Sequence, residues 1–148
     1  MKSVLIALAA VLAVPAFAQF RKPEDAVKYR QSVMYTMSNH LYGRIGARVN
    51  GRIPFDATAA SDNADLVATL SRLPWITFTA DTNGVGKSDA KPAIWTEQAK
   101  FKDLSDKMQA EVLKLQTVSR TGDLEALKVA YRATTNTCKA CHDAFTSQ

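Results

Sequence analysis

Five residues near the carboxyl end of this 148-residue chain combine two cysteines and a histidine at close spacing. They run from Cys138 to His142 and read C-x-x-C-H, the covalent attachment signature of a c-type haem. Each cysteine sulfur is expected to add to one vinyl group of the haem, and His142 to supply an axial nitrogen to the iron. The histidine follows the second cysteine directly, so that it can swing beneath the ring centre. We therefore predict one covalently bound haem c per chain.

The residues that precede the motif predict that it lies on the core-facing side of a helix. Apolar and small residues recur at spacings that alternate between three and four, which is the pattern of a helix seam that faces partner helices. Both cysteines belong to this seam, so the haem is expected to enter a helical core. The seam consists of Leu124, Leu127, Tyr131, Thr134, Cys138, Cys141 and Phe145.

Three other interpretations of the motif have less support. A zinc site commonly needs four Cys or His ligands, whereas the chain has two of each in total and His40 is far away in sequence. A thioredoxin-like redox motif is expected near a βαβ pattern, which the sequence lacks. A disulfide across two intervening residues of one helix would be strained. Haem attachment is the favoured interpretation.

The first residues indicate export. Lys2 provides a positive start, residues 4–14 form an apolar run, and Ala16-Phe17-Ala18 is a small-x-small cleavage site. The run is too short to span a bilayer, so a cleaved signal peptide 1–18 is favoured over an uncleaved membrane anchor. Haem attachment to this motif occurs outside the cytoplasm, and we predict a bacterial periplasm as the destination. No membrane anchor is expected to remain after cleavage.

Removing residues 1–18 leaves 130 residues, enough for one domain, which we assign to 19–148. Without Lys2 the chain has 18 basic and 14 acidic residues, a net charge of +4 with neutral histidines. The basic residues are scattered along the sequence, which gives no indication of nucleic-acid binding. The mild positive charge is compatible with weak docking to acidic redox partners.

Helical periodicity predicts an all-α fold, an antiparallel up-down four-helix bundle with haem near the end of the last helix. The helices are expected from 23 to about 49, from Asp56 to Pro74, from Ile94 or Glu97 to Arg120, and through the haem motif. Gly122 and Asp123 are expected to end the third helix and cap the fourth. In such a bundle the haem motif lies beside the start of the first helix, where Arg30, Gln31 and Met34 are found.

Two details of these helices can be tested. Gly43 and Gly46 either weaken the end of the first helix or allow another backbone to approach it closely. In the second helix Leu66, Val67, Leu70 and Leu73 are expected to form the buried stripe. A loop from Trp75 to Pro92 is expected between the second and third helices. Its Trp75 and Phe78, with Phe101 of the third helix, are expected to form apolar walls, either of the haem pocket or of the core.

Several segments then resemble one family, the cytochromes c-prime. They are Gln19 to Ser32 (QFRKPEDAVKYRQS), Leu73-Pro74-Trp75, Asp89 to Trp95 (DAKPAIW), Gly122-Asp123-Leu124 and Cys138 to Ala144 (CKACHDA). The resemblance covers the whole chain after residue 18. It implies a periplasmic homodimer of four-helix bundles, each with one haem, whose iron is bound by one histidine only. The sixth position is then open to small gases such as nitric oxide and carbon monoxide.

The resemblance also implies roles for individual residues. Cys138 and Cys141 match the attachment positions, and His142 matches the axial ligand. Arg30 and Gln31 match positions that contact the haem, and Asp89 matches a further contact.

Two positions differ from the common family pattern. Met34 falls at the distal position over the open face, where the family often has leucine. Thr146 stands where the family often has a basic residue.

Two functions remain open within this class. The first is a gas-binding protein with a five-coordinate iron that also takes part in electron transfer with an unidentified periplasmic redox partner. The second is a low-spin electron carrier in which the Met34 sulfur is the sixth ligand, a change that raises the haem potential. A methionine that merely fills a gap in the core is the plainer interpretation of Met34. No nucleophile–base pair, carboxylate dyad or phosphate loop is visible, so no enzymatic activity is predicted.

Overall fold

The computed structural model describes residues 19–147, so the predicted signal peptide 1–18 lies outside the described residues. The first long helical stretch consists of α1 (Pro23–Ser38), a π-helical segment (Asn39–Ile45) and α2 (Gly46–Val49). It is followed by α3 (Ala57–Leu70), α4 (Ala93–Thr96), α5 (Gln98–Ser119) and α6 (Leu124–Phe145). Two short 3₁₀ helices, Pro74–Thr77 and Ala80–Thr82, interrupt the loop before α4. The all-α prediction is confirmed, because no strand occurs between residues 19 and 147.

Local sequence explains where these helices begin and end. Asp56 and Asp123 are N-caps, since Asp56 accepts a hydrogen bond from the Ala59 amide at 2.9 Å and Asp123 accepts one from the Glu125 amide at 2.8 Å. Gly122 has a positive φ of 73°, a conformation that glycine adopts without steric cost. The predicted turn between the last two helices is therefore confirmed.

The last two helices run in opposite directions. The Phe101 ring near the start of α5 lies 5.3 Å from the Phe145 ring at the end of α6. Midway along the same pair, the Thr134 hydroxyl donates to the Glu111 carbonyl oxygen at 3.3 Å. Helix α3 packs against α5 and against the π segment. The buried core between them contains Met37, Leu41, Ile45, Val49, Ala60, Ala64, Val67, Ala68, Met108, Val112, Leu115, Leu127, Ala130 and Tyr131.

Three expectations about these helices need correction. Helix α3 ends at Leu70, before Pro74, and its buried face consists of small residues together with Val67. Leu66 is 46% exposed, so it does not belong to the buried stripe. The group that closely approaches Gly46 is the Tyr131 side chain rather than a backbone: a β-carbon at Gly46 would lie 2.5 Å from the Tyr131 hydroxyl oxygen.

Candidate haem-binding site

The end of α6 carries the haem motif against the rest of the bundle. Cys138 and Cys141 are half-buried and three residues apart, so they share one face of the helix. His142 is more exposed, and its carbonyl oxygen accepts hydrogen bonds from the Thr146 amide at 2.9 Å and the Thr146 hydroxyl at 2.8 Å. Thr146, which stands where the family often has a basic residue, therefore ends the helix directly after the motif.

A cavity of about 290 Å³ opens beside this face of α6. The seven residues singled out from the sequence all line it: Arg30, Gln31, Met34, Asp89, Cys138, Cys141 and His142. Trp75, Phe78 and Phe101 also line it, so these three aromatic residues are walls of this cavity. His40 is not among the lining residues; its ring Nδ1 is hydrogen-bonded with the Asn63 side-chain oxygen at 2.7 Å.

Most of the cavity wall is apolar. All three methionines of the described residues contribute to it, and Met37 and Met108 are also buried in the core. The remaining apolar and aromatic lining residues are Leu41, Tyr42, Ala90, Ile94, Leu104 and Phe145. Such a surface fits a flat apolar macrocycle and excludes water from its faces.

Arg30 is a buried charged residue in this wall. Its side chain is buried, with an exposed fraction of 3%, and one terminal nitrogen, Nη1, donates to the Thr77 carbonyl oxygen and to the Thr82 hydroxyl, both at 3.1 Å. The guanidinium lies 4.5 Å from the centre of the Phe78 ring, a cation–π contact. The other terminal nitrogen, Nη2, is buried without a hydrogen-bond partner among the described residues. A buried cation with an unused donor requires an anionic partner, and a haem carboxylate has the required chemistry.

The loop before α4 closes one edge of the cavity. Gln31 donates from its side-chain nitrogen to the Lys87 carbonyl oxygen at 2.7 Å, which ties this loop to α1. On the other side, the Asp89 carbonyl oxygen accepts from the Ser147 amide at 2.8 Å, and the Lys91 amide donates to the Phe145 carbonyl oxygen at 2.9 Å. The Asp89 backbone is thereby held at the rim of the cavity, and the residue is exposed.

The two cysteine side chains lie in a partly buried environment and form no disulfide with each other. Burial raises the pKa of Cys138, and burial together with the neighbouring Cys138 raises the pKa of Cys141 to about 11. Among residues 19–147, no three His, Cys, Asp or Glu side chains come together in a metal-binding arrangement, so the ligand set of a zinc site is missing there.

Sequence reasoning missed Tyr42 as a lining residue. In a regular α-helix, residues 38 and 42 lie on one face. This spacing alone does not predict that the side chain of a partly exposed tyrosine lines a cavity. Tyr42 lies within the π-helical segment, whose turn is wider than that of a regular α-helix. The amino-acid composition of Asn39–Ile45 does not predict a π-helical turn.

A helical bundle with a C-x-x-C-H motif against an apolar cavity defines the class of c-type haem proteins. The sequence model of one family, described as Cytochrome C', matches residues 25–146, and the chain belongs to that family. A cytochrome c' from Rubrivivax gelatinosus is 45% identical over 127 residues, which cover 86% of this chain and 98% of that protein.

Solved structures agree with this assignment. The crystal structure of the Rubrivivax gelatinosus cytochrome c' is similar with a TM-score of 0.84 and 44% identity, covering 87% of this chain and all of that one. A nitric oxide complex of a mutant cytochrome c' from Alcaligenes xylosoxidans has a TM-score of 0.81 and 41% identity, covering 88% and 100% of the two chains. The four-helix bundle prediction is confirmed by these neighbours. Proteins of this family carry covalently bound haem c, and the apolar cavity with the unused Arg30 donor fits that group.

Proposed function

We propose that this protein is a periplasmic gas-binding cytochrome with a five-coordinate iron that takes nitric oxide or carbon monoxide and also takes part in electron transfer. The observation that carries the proposal is the single apolar cavity that gathers the haem motif, Arg30 and Met34. The nitric oxide complex of the related Alcaligenes xylosoxidans protein supports the gas-binding part.

The proposal assigns each residue at the cavity a role. Cys138 and Cys141 form thioethers with the haem, and His142 is its axial ligand. Arg30 donates from Nη2 to a haem carboxylate, while Gln31 and Asp89 contact the same edge of the ring. When bound, the haem supplies an iron at which a diatomic gas binds and an electron is exchanged.

The apolar wall selects the kind of ligand. Met34, Met37 and Leu41 offer no ionised group to a molecule above the ring, so charged ligands would lose their hydration without compensation. A neutral diatomic gas has little hydration to lose and fits the space. The protein therefore binds gas without an acid or base aligned for further chemistry, which is why we propose a binding function and no enzymatic one.

Met34 supports a second candidate function, because its half-buried side chain lines the cavity. If its sulfur bound the iron, the protein would be a low-spin electron carrier. Optical and paramagnetic resonance spectra of the purified haem protein separate the two functions. We expect a high-spin ferrous spectrum that shifts on addition of carbon monoxide and survives Met34→Ala. A low-spin spectrum that Met34→Ala converts to high-spin would establish the electron carrier instead.

Export and assembly complete the proposal. Residues 1–18 act as the signal peptide, and cleavage after Ala18 releases the domain 19–148 into the periplasm. Between residues 19 and 147, none of the helices has the length and apolar character required to cross a bilayer. We also propose a homodimer that involves α1, where Tyr35 is 75% exposed. Sedimentation of the wild type and of Tyr35→Glu tests the dimer, and a mass increase of one haem per chain tests the attachment.

A further inference from the structure

Acidic residues are distributed unevenly over the molecule. The stretch 26–55 contains five basic residues and no acidic residue, although the chain has 14 acidic residues in all. The surface ion pairs of the described residues all lie on the other helices: Lys100–Glu97, Lys102–Asp106, Lys107–Asp103, Lys114–Glu111, Arg120–Asp65, Lys128–Glu125 and Lys139–Asp143. The segment 26–55 therefore carries positive charge without a carboxylate of its own.

Three arginines concentrate this charge at the end of the first helical stretch. Arg44, Arg48 and Arg52, which we call the arginine strip, are spaced four residues apart and take part in none of those ion pairs. The Arg48 side chain donates to the Arg44 carbonyl oxygen at 3.1 Å, and the Arg52 side chain donates to the Tyr42 carbonyl oxygen at 3.4 Å. Both side chains thus lie back along the helix towards Tyr42.

Tyr42 connects this surface with the haem cavity. Its side chain is 40% exposed to solvent and at the same time lines the cavity. Inside, it lines the same cavity as Cys138, and its ring makes an edge-on contact with Tyr131, with the ring centres 6.3 Å apart. One neutral aromatic side chain therefore extends from the arginine strip to the site of haem attachment.

We propose that the arginine strip and Tyr42 form the docking surface for an acidic one-electron redox protein. The inference rests on the proposed function, because it requires the haem. Positive charge around the contact raises the association rate of an acidic partner, and Tyr42 with the 39% exposed Ile53 supplies apolar contact area at the centre. One electron leaves the ferrous iron and reduces the oxidised partner; no bond forms and no proton moves.

A second copy of this chain is a poorer occupant of the same surface. In a two-fold symmetric dimer each patch faces its own copy, so the strip would meet another strip. The stretch 26–55 offers no carboxylate to separate those cations, and like charges in contact are unfavourable. A partner that brings its own carboxylates has no such penalty.

The test uses the haem-loaded protein and two small redox reagents of opposite charge. Ferrous protein is mixed with hexacyanoferrate(III), and the rate of oxidation is followed by stopped flow as a function of ionic strength; hexaammineruthenium(III) serves as the cationic reagent. The variant Arg44→Gln/Arg52→Gln removes two exposed charges from the strip. The control Lys107→Gln/Lys114→Gln removes two exposed charges from α5, so both variants have the same net charge.

We expect the strip variant to slow oxidation by hexacyanoferrate(III) about three- to tenfold at low ionic strength, and the control variant to change it less than about twofold. The difference should vanish at high salt and reverse in sign with the cationic reagent. Equal effects of both variants would overturn the proposal. The proposal would also be overturned if the strip variant changed only the sedimentation of the protein or its binding to phosphatidylglycerol vesicles. A second copy of the chain or a lipid surface would then be the occupant of the arginine strip. A protein without haem would show no exchange with either reagent, which is failure of the proposed function itself.

Discussion

Arg30 combines two tasks in one side chain. Its Nη1 holds the loop 74–82 through Thr77 and Thr82, both of which are almost completely buried, while its Nη2 is buried without a partner among the described residues. Burial lowers the pKa of Arg30, as expected for a cation removed from water. Under the proposed function, loop structure and haem recognition would therefore be coupled at a single residue.

Replacing Arg30 with leucine is expected to lower the free energy of unfolding of the haem-loaded protein by roughly 2–4 kcal/mol, because Thr82 and the proposed haem carboxylate both lose their charged donor. Urea unfolding measures the loss. The exposed Arg44→Leu variant, which deletes the same charge without a buried contact, should change stability by less than about 0.5 kcal/mol. Similar losses in both variants would show that Arg30 acts through net charge alone.

Gly46 is a position at which the addition of a single β-carbon is expected to change stability. A β-carbon there would lie 2.5 Å from the Tyr131 hydroxyl oxygen and 3.1 Å from the ring carbon that bears it. Gly46→Ala is therefore expected to cost about 1–3 kcal/mol in thermal or urea unfolding, the usual range for an overpacked core. Adding Tyr131→Phe removes the nearest atom and should recover part of that loss.

The matched control for this prediction is Gly43→Ala in the same helical stretch. Its β-carbon would meet nothing closer than 3.8 Å, at the Asn39 side chain. Because alanine is the better helix former, this variant should be neutral or more stable by up to about 1 kcal/mol. A loss at Gly43 equal to that at Gly46 would mean that glycine is needed for backbone freedom at both positions.

The π-helical segment Asn39–Ile45 contributes Leu41 and Tyr42 to the cavity wall. A π turn contains more residues than an α turn, so removal of one residue inside it can return the helix to α geometry without rotating the flanking segments. We expect a deletion of Gly43 to keep cooperative unfolding and haem binding while changing the environment of Tyr42. Deletion of Tyr35, in the regular part of α1, should instead rotate Arg30 and Met34 relative to Met37 and abolish folding.

Circular dichroism and the visible haem spectrum distinguish these two deletions. If both are equally damaging, the π segment does not absorb the missing residue. If both are tolerated, the register of α1 contributes less to the cavity than its contacts indicate.

Elements that depend on interactions between residues close in sequence were predictable, and those that depend on distant residues were not. The caps Asp56 and Asp123 and the seam of α6 depend on neighbours a few residues away, and sequence analysis found them. The close approach of Gly46 to Tyr131 joins residues 85 positions apart, and no local pattern encodes that contact. Leu66 was misplaced for a similar reason, since the buried face of α3 is chosen by close packing of alanines.

The site itself was largely predictable because its chemistry is unusually explicit. The C-x-x-C-H motif specifies a cofactor, and a helical bundle leaves few places for it, so all seven named residues proved to line one cavity. The sequence did not predict the hydrogen-bond partners or the directions of the individual side chains. The engagement of Arg30 with Thr77 and Thr82, and the inward turn of Tyr42, arise from tertiary contacts alone.

For the molecule as a whole, one carboxylate links α3 with the long helix α5. Asp65 Oδ1 accepts from the Gln116 amide and from the Arg120 guanidinium, both at 2.8 Å, and these bonds lower the pKa of Asp65 below its ordinary value of 3.8. A carboxyl group whose pKa is depressed by folding contributes stability above its unfolded pKa. That contribution is lost as the pH falls through the folded value.

We therefore expect Asp65→Asn to be less stable than the wild type at pH 7 and to approach it below about pH 4. Urea midpoints measured from pH 7 to pH 3 for both proteins provide the comparison. The exposed Asp103→Asn variant, which loses one i,i+4 pair within α5, is the control and should show a smaller difference. A difference in urea midpoint between Asp65→Asn and the wild type that stays constant from pH 7 to pH 3 would show that the ionised carboxylate is not its cause.

The short pairing between residues 89–91 and 145–147 has a consequence for the order of events during maturation. If the chain is exported amino end first, as proposed, residue 89 crosses the membrane well before residue 147. The attachment residues Cys138 and Cys141 then arrive together with the segment that pairs with the rim at Asp89, all within the last turns of α6. Joining of the porphyrin and closure of this side of the pocket therefore depend on the same final piece of the chain.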